Sequence, residues 1–294
     1  MKELLNGAWD LHFHTAPDVV PRKYTDLELA EEWSGAGMKG GVIKCHYADT
    51  TGRAAMLRSL FPGLKVYGGL VLNRQAGGLN PDAAERMAQA GGKYLWFPTM
   101  DSLSYRKFHQ GGGTDTELSS CIQVCEDGGR LLHGAYDVLD VAARYGLIVG
   151  TGHVGEKEGV MLVREAVRRG VKKVVLTHAE NPATRFSAEA RKECIKLGAF
   201  VEHSCFTVYH NRISWEEMSA QIRENGPEHS LLVTDFGQLN SPGSARGLTE
   251  FAEGLIKHGI KETEIEMMIK ENPAAPYGSR LRNVLGGFPC PLCN

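Results

Sequence analysis

Six of the chain's 11 histidines stand at or just past the ends of short apolar runs: His12 and His14 in DLHFH, His46 in IKCH, His153 in GTGH, His178 in VVLTH and His203 in VEH. Asp235 ends another such run in LLVTD. Any one of these histidines is as well read as a core residue satisfied by a carbonyl, but the set is not. Neutral imidazoles all offer the same lone pair, so several brought together suit a divalent transition ion better than they suit one another, and a carboxylate completes such a donor set. In an extended segment the side-chain period of two puts Asp10, His12 and His14 on one face and turns Phe13 to the other, so the two imidazoles can chelate one ion. Lys44 and His46 repeat that spacing. An ammonium beside a cation is repelled, so Lys44 is expected either to have a depressed pKa or to be chemically modified.

The elements that must position these residues are strands. Apolar runs at 8–14, 40–46, 65–72, 93–97, 147–152, 172–177, 199–203 and 230–234 read as eight β-strands. Between them lie helical stretches. One is capped by Thr25 or Asp26 and runs through Trp33, and others fall at 50–60, 81–90, 135–145, 156–169, 187–197 and 215–224. Helices at 246–257 and 262–269 would complete an outer ring and cover one end. Eight βα units without a Pro- or Ser-rich linker fit an α/β chain folded as one (βα)8 TIM barrel spanning 1–294. An open doubly wound sheet would need a G-x-G-x-x-G after the first strand, and none is there. The alternation lapses at about 101–133, where an inserted lid or a hairpin over Asp127, Gly128 and Gly129 is expected. All the candidate ligands fall at C-terminal strand ends, where this architecture carries its active sites.

Composition narrows the function classes. Thirty-three basic against 35 acidic residues give a net charge of −2 with no long run of either sign, which argues against nucleic acid as a partner. No apolar stretch reaches the ~20 residues of a membrane span, and MKELLNGAWDLHFH has no signal-peptide core, so a cytoplasmic chain without a membrane partner is expected. Seven cysteines at irregular spacing argue against a disulfide framework, and the single C-x-x-C of Cys290 and Cys293 is half of a zinc site at most.

The D-x-H-x-H of Asp10 to His14, the histidines of GTGHVG and VVLTHAEN, the Asp of LLVTDFG and the following ENPAAPYG together resemble the amidohydrolase superfamily of metal-dependent hydrolases, over about residues 8–280. The opening DLHFHTAPD with KCHY is similar to an uncharacterised branch of it. The resemblance implies one or two divalent ions, zinc first with manganese or iron as alternatives, held by His12, His14, His153, His178 and Asp235. It also implies a bridging carboxylated lysine from strand 4, but YLWFPTMD has none and offers only Asp101 just beyond. Lys44, carboxylated, or His46 would then bridge from strand 2.

The implied reaction is hydrolysis of an amide, lactone or related carbonyl bond of a small molecule, with C–N bonds other than peptide bonds favoured. The ion activates water, and Asp235 is the candidate base. His203 is a candidate contact to substrate or water. Arg74, in the loop after strand 3, is the candidate clamp for a carboxylate or phosphate, a solvated loop arginine being the plainer reading. Trp96 and Phe97 read as barrel core. A phosphoesterase of the polymerase and histidinol phosphatase type is an alternative, although VTDFGQ lacks the His after the Asp that this family shows. A metal-dependent decarboxylase and a non-catalytic metal-binding barrel are the others. Pairing into a homo-oligomer stays open, since no segment marks an interface.

Overall fold

The computed structural model describes residues 2–110, 120–126 and 129–274. Eight strands follow one another around a ring. They are β1 (Trp9–His14), β2 (Gly40–Lys44), β3 in two pieces either side of Gly68 (Lys65–Tyr67 and Gly69–Val71), β4 (Tyr94–Trp96), β5 (Ile148–Gly150), β6 (Lys173–Leu176), β7 (Phe200–Ser204) and β8 (Ser230–Val233). Every neighbouring pair is parallel. The last strand returns to the first just past its own end: Phe13 and Phe236 form a parallel bridge, His14 N–H donates to Phe236 O at 2.8 Å, and Asp235 N–H donates to His12 O at 2.9 Å. The architecture is the expected α/β (βα)8 barrel.

Alternation along each strand sorts the core into an inside and an outside. Val42, Tyr94, Trp96, Val175, Leu231 and Val233 belong to the apolar cluster that fills the barrel. Their neighbours Ile43, Leu95, Phe97, Leu176 and Leu232 belong to the clusters beneath the helices. Each such buried aliphatic or aromatic side chain contributes roughly 1.5–3 kcal/mol. The helices start where polar caps dictate: Thr25 accepts from Glu28 N–H while the Glu28 carboxylate returns to Thr25 N–H, and Ser187 and Ser214 cap the helices Ala188–Lys196 and Trp215–Asn225.

Strand β1 departs from the expected period. Its register advances three residues, Asp10 to Phe13, while β2 advances two, Gly41 to Ile43, so β1 carries one extra residue. That bulge reverses the parity. Asp10 therefore faces the helix layer, while His12 and His14 face the barrel mouth and Phe13 packs beneath the helices as expected.

The insertion after β4 holds a helix, Leu103–Gln110, that the sequence pattern did not announce. Beyond it Cys125 and Leu131 form an antiparallel bridge, as a hairpin would; its tip at 127–128 lies outside the described residues. A second unannounced helix, Cys205–Tyr209, follows β7. At the opposite end of the barrel, Glu262–Glu266 widens into a π-helical turn, Met267–Glu271, and Ala274 packs against the interior cluster. Cys45, Cys121, Cys125, Cys194 and Cys205 are free thiols, whereas Cys290 and Cys293 lie outside the described residues, as does the end of ENPAAPYG. No helix among the described residues is long and apolar enough to cross a membrane.

Candidate metal centre

At the C-terminal end of the strands a cavity of about 230 Å³ opens over His14, His46, His153, His178 and Asp235. His12 lies just beneath it, fully buried. Asp235 Oδ1 is 2.9 Å from His12 Nε2 and 3.3 Å from His14 Nε2, and donor atoms of these three residues all lie within 4.8 Å of one another. Beside them His153 Nε2 and His178 Nε2 stand 3.1 Å apart, with the His12 and His178 rings 5.9 Å apart. The His46 ring is stacked at 4.8 Å from that of His14 and stands 5.8 Å from that of His153.

Hydrogen bonds behind the rings direct their lone pairs. His12 Nδ1–H donates to Glu202 Oε1 at 3.0 Å, which turns Nε2 towards Asp235 and Lys44. The Thr184 hydroxyl donates to His178 O and therefore accepts from His178 Nδ1–H at 3.2 Å, again turning Nε2 forward. His46 Nδ1 is engaged by Thr99 Oγ1 at 2.8 Å, and Asn73 holds that hydroxyl in turn. Two of the site's residues are held at positive φ without being glycine, His178 at 29° and Asp235 at 54°, a strain of about 1–3 kcal/mol each of the kind found at functional sites. Gly237 lets the Asp235 loop cross the end of β1: at φ +133° an added Cβ would sit 2.1 Å from His14 O.

Burial and charge then set the protonation states. Burial lowers His14 to about 3 and His178 to about 4, and takes His46 and His153 well below the ordinary imidazole value, so these four rings are neutral. Burial opposes the charged form of His12 too, but the carboxylates of Asp235 and Glu202 outweigh it and raise that ring to about 9. Burial alone would raise Asp235, yet His12, His14 and His178 hold its carboxyl well below the usual carboxylate range. Lys44 ends β2 with Nζ 2.9 Å from His12 Nε2 and 5.1 Å from the centre of the Trp96 ring, and burial lowers it to about 8.

These residues fit a divalent ion. His153 and His178 present nitrogens to each other at hydrogen-bond distance, His153 Nδ1 has no partner among the described residues, and His12, His14 and Asp235 add a mixed nitrogen and oxygen set. The ion would be held by His12, His14, His153, His178 and Asp235, with Lys44 and His46 adjoining.

Three sequence-derived candidates lie elsewhere. His203 is fully buried on the outer face of β7, its Nε2 near Asn225 Nδ2 at 3.3 Å and its Nδ1 3.7 Å from Glu180 Oε2. Its neighbour Glu202 takes the inward position, because adjacent strand residues point to opposite faces. Arg74 is exposed and does not line the cavity; its backbone N–H donates to Asp101. Asp101 itself is paired with Arg106 rather than with the imidazoles. The arginines on the cavity wall are Arg22 and Arg212.

Residues 7–202 match a protein family described as a family of unknown function (DUF6282). No curated protein matches the chain. Among solved structures, an amidohydrolase from Pseudomonas aeruginosa superposes with a TM-score of 0.62 at 13% identity, over 94% of this chain and 96% of that one. A probable dipeptidase, PvdM, from Pseudomonas aeruginosa gives 0.63 at 8% identity over 94% and 96%. A probable 2-pyrone-4,6-dicarboxylic acid hydrolase from Acinetobacter baumannii gives 0.59 at 11% identity over 93% and 100%. The likeness is one of fold.

Proposed function

This chain belongs to the DUF6282 family, and we propose that it is a metal-dependent hydrolase that cuts an amide, lactone or related carbonyl bond of a small molecule. The observation that carries this reading is the convergence of His14, His153, His178 and Asp235, drawn from β1 and from the loops after β5, β6 and β8, on one cavity at the C-terminal strand ends, with His12 just beneath it. A divalent ion held by His12, His14, His153, His178 and Asp235, zinc by the imidazole-rich donor set, would supply an activated water and polarise the carbonyl. Asp235 is ionised at neutral pH and stands at the mouth, so its carboxylate takes the proton of the attacking water and passes it to the leaving group. Glu202 and Thr184 hold the His12 and His178 rings with Nε2 forward. A cytoplasmic protein acting on C–N bonds other than peptide bonds completes the reading.

The test joins metal content to turnover. Elemental analysis of untagged protein is expected to find one or two equivalents of a divalent transition ion, reduced in His12→Ala and His178→Ala. A panel of N-acyl amides and lactones is expected to yield hydrolysis that Asp235→Asn lowers by roughly 10²–10⁴-fold, the range for a lost general base. Protein that stays folded and metal-free when divalent ions are offered would overturn the reading.

A further inference from the structure

Among the described residues, the walls of the cavity mouth carry two guanidinium groups, Arg22 and Arg212, and one carboxylate, Asp235, which is already committed to His12 and His14. Arg22 is neutralised where it stands, since its Nε donates to Asp18 Oδ2 at 2.7 Å while Nη2 reaches towards His14 Nδ1 at 3.4 Å. Arg212 has no such partner. Among the described residues it makes no ion pair, and its guanidinium is laid against the Phe206 ring, 5.3 Å from the ring centre, with Phe206 itself lining the cavity.

Arg212 is exposed, and the ring beneath it limits where its guanidinium lies. Stacking on an aromatic face fixes the plane of a guanidinium and leaves its N–H edges free, and such an edge matches two oxygens of one anion. Burial first and then the charge of Arg212 disfavour protonation of His109, which lines the cavity. The cavity is small, below the ~300–1,000 Å³ of sites for drug-sized ligands.

We propose that the substrate carries an oxyanionic group, a carboxylate or a phosphate, set apart from the bond that is cut, and that Arg212 grips it at the cavity mouth. The inference rests on the hydrolase reading for the word substrate, but its anion-binding content stands alone. The group enters beside Phe206, so Arg212 orients the molecule while the reacting carbonyl faces Asp235.

The experiment is calorimetric titration of the metal-analysed protein with succinate, with inorganic phosphate and with succinamide, the neutral counterpart of succinate. Wild type is expected to bind one of the two anions at one equivalent and succinamide not at all. Arg212→Ala is expected to weaken the anion by roughly tenfold or more, the size of a lost charge-assisted pair, and Arg212→Lys to recover part of it. Metal content and Tm of both variants should equal wild type. Succinate alone binding in this way identifies a carboxylate, and phosphate alone a phosphate. Equal anion binding by wild type and Arg212→Ala, no saturable binding of either anion, or succinamide binding as tightly as succinate would overturn the proposal. A protein that takes up no metal yet shows Arg212-dependent anion binding would remove the hydrolase reading and leave the anion site. The reverse result would remove only the anion site.

Discussion

Glu202 governs the centre from behind. One of its oxygens accepts both the His12 ring N–H and the His178 backbone N–H, at 3.0 and 3.2 Å, so a single buried carboxylate orients one donor and helps to hold another in its strained backbone state. Glu202→Gln keeps the shape and removes the charge that makes the His12 ring a better base. It is expected to weaken metal affinity by roughly 10–100-fold, measured by competition with a chromophoric chelator. Affinity equal to wild type would take Glu202 out of the centre. The sequence drew attention to the wrong neighbour here. His203 has the more obvious chemistry, but a parallel barrel strand is covered on both faces, so the flanking apolar residues do not say which parity points inward. Only the ring's own packing, with Val201 among the outer cluster, turns Glu202 in and His203 out. His12, His14, His46, His153 and His178 were legible because each stands at or just past a strand end, where the chemistry sits whichever way the parity runs.

At the scale of elements, β6 begins at the closed end of the barrel with a buried cation. Lys173 Nζ donates to Asn272 O and stands 4.7 Å from the centre of the Phe200 ring, and burial lowers its pKa from 10.5 to about 7. The unfolded chain therefore keeps this proton up to about pH 10, whereas the folded one releases it near 7. Between those values the unfolded state binds more protons, so this group makes stability rise with pH, by at most about 1.4 kcal/mol per unit, and has no further effect below 7. Lys173→Met should remove that slope between pH 7.5 and 9.5 in urea denaturation. A difference from wild type that does not vary with pH would show that Lys173 is charged in the fold. The strands themselves were legible to within a few residues at each end, since apolar runs and glycine punctuation mark them. The helix Leu103–Gln110 was not. Its eight residues, LSYRKFHQ, are few and mostly polar, and its clearest signal is a cap: Ser102 Oγ accepts from Tyr105 N–H and donates to His153 O at 2.6 Å, so the insertion both starts its helix and fixes the loop that carries His153. The β1 bulge was equally silent, because an extra residue in a strand leaves no mark on composition.

Across the whole molecule, the candidate ligands bind the beginning of the chain to its end. His12 and Asp235 are 2.9 Å apart in space, joined by backbone bonds between β1 and the loop after β8 where the ring closes, and His178 reaches the same point from β6. Asp10 strengthens that seam from outside, accepting from the Thr234 and Ser244 hydroxyls at 2.6 Å, while Trp33 Nε1 donates to Ser244. The seam itself lies outside any single motif, so it could be expected only from the count of eight strands. An ion held across it is lost when the ring opens, because the unfolded chain does not keep those donors together. Ligand that binds only the folded state adds stability as its concentration exceeds Kd, about 2.7 kcal/mol at one hundred times Kd. Zinc or manganese added to chelator-treated protein is accordingly expected to raise Tm in a concentration-dependent way, and a chelator to reverse it. His153→Ala should show a smaller rise above its own ion-free Tm at the same ion concentration, because one imidazole of the donor set is gone. A Tm that ignores the ion in wild type would mean that the imidazoles close the barrel mouth without holding a metal.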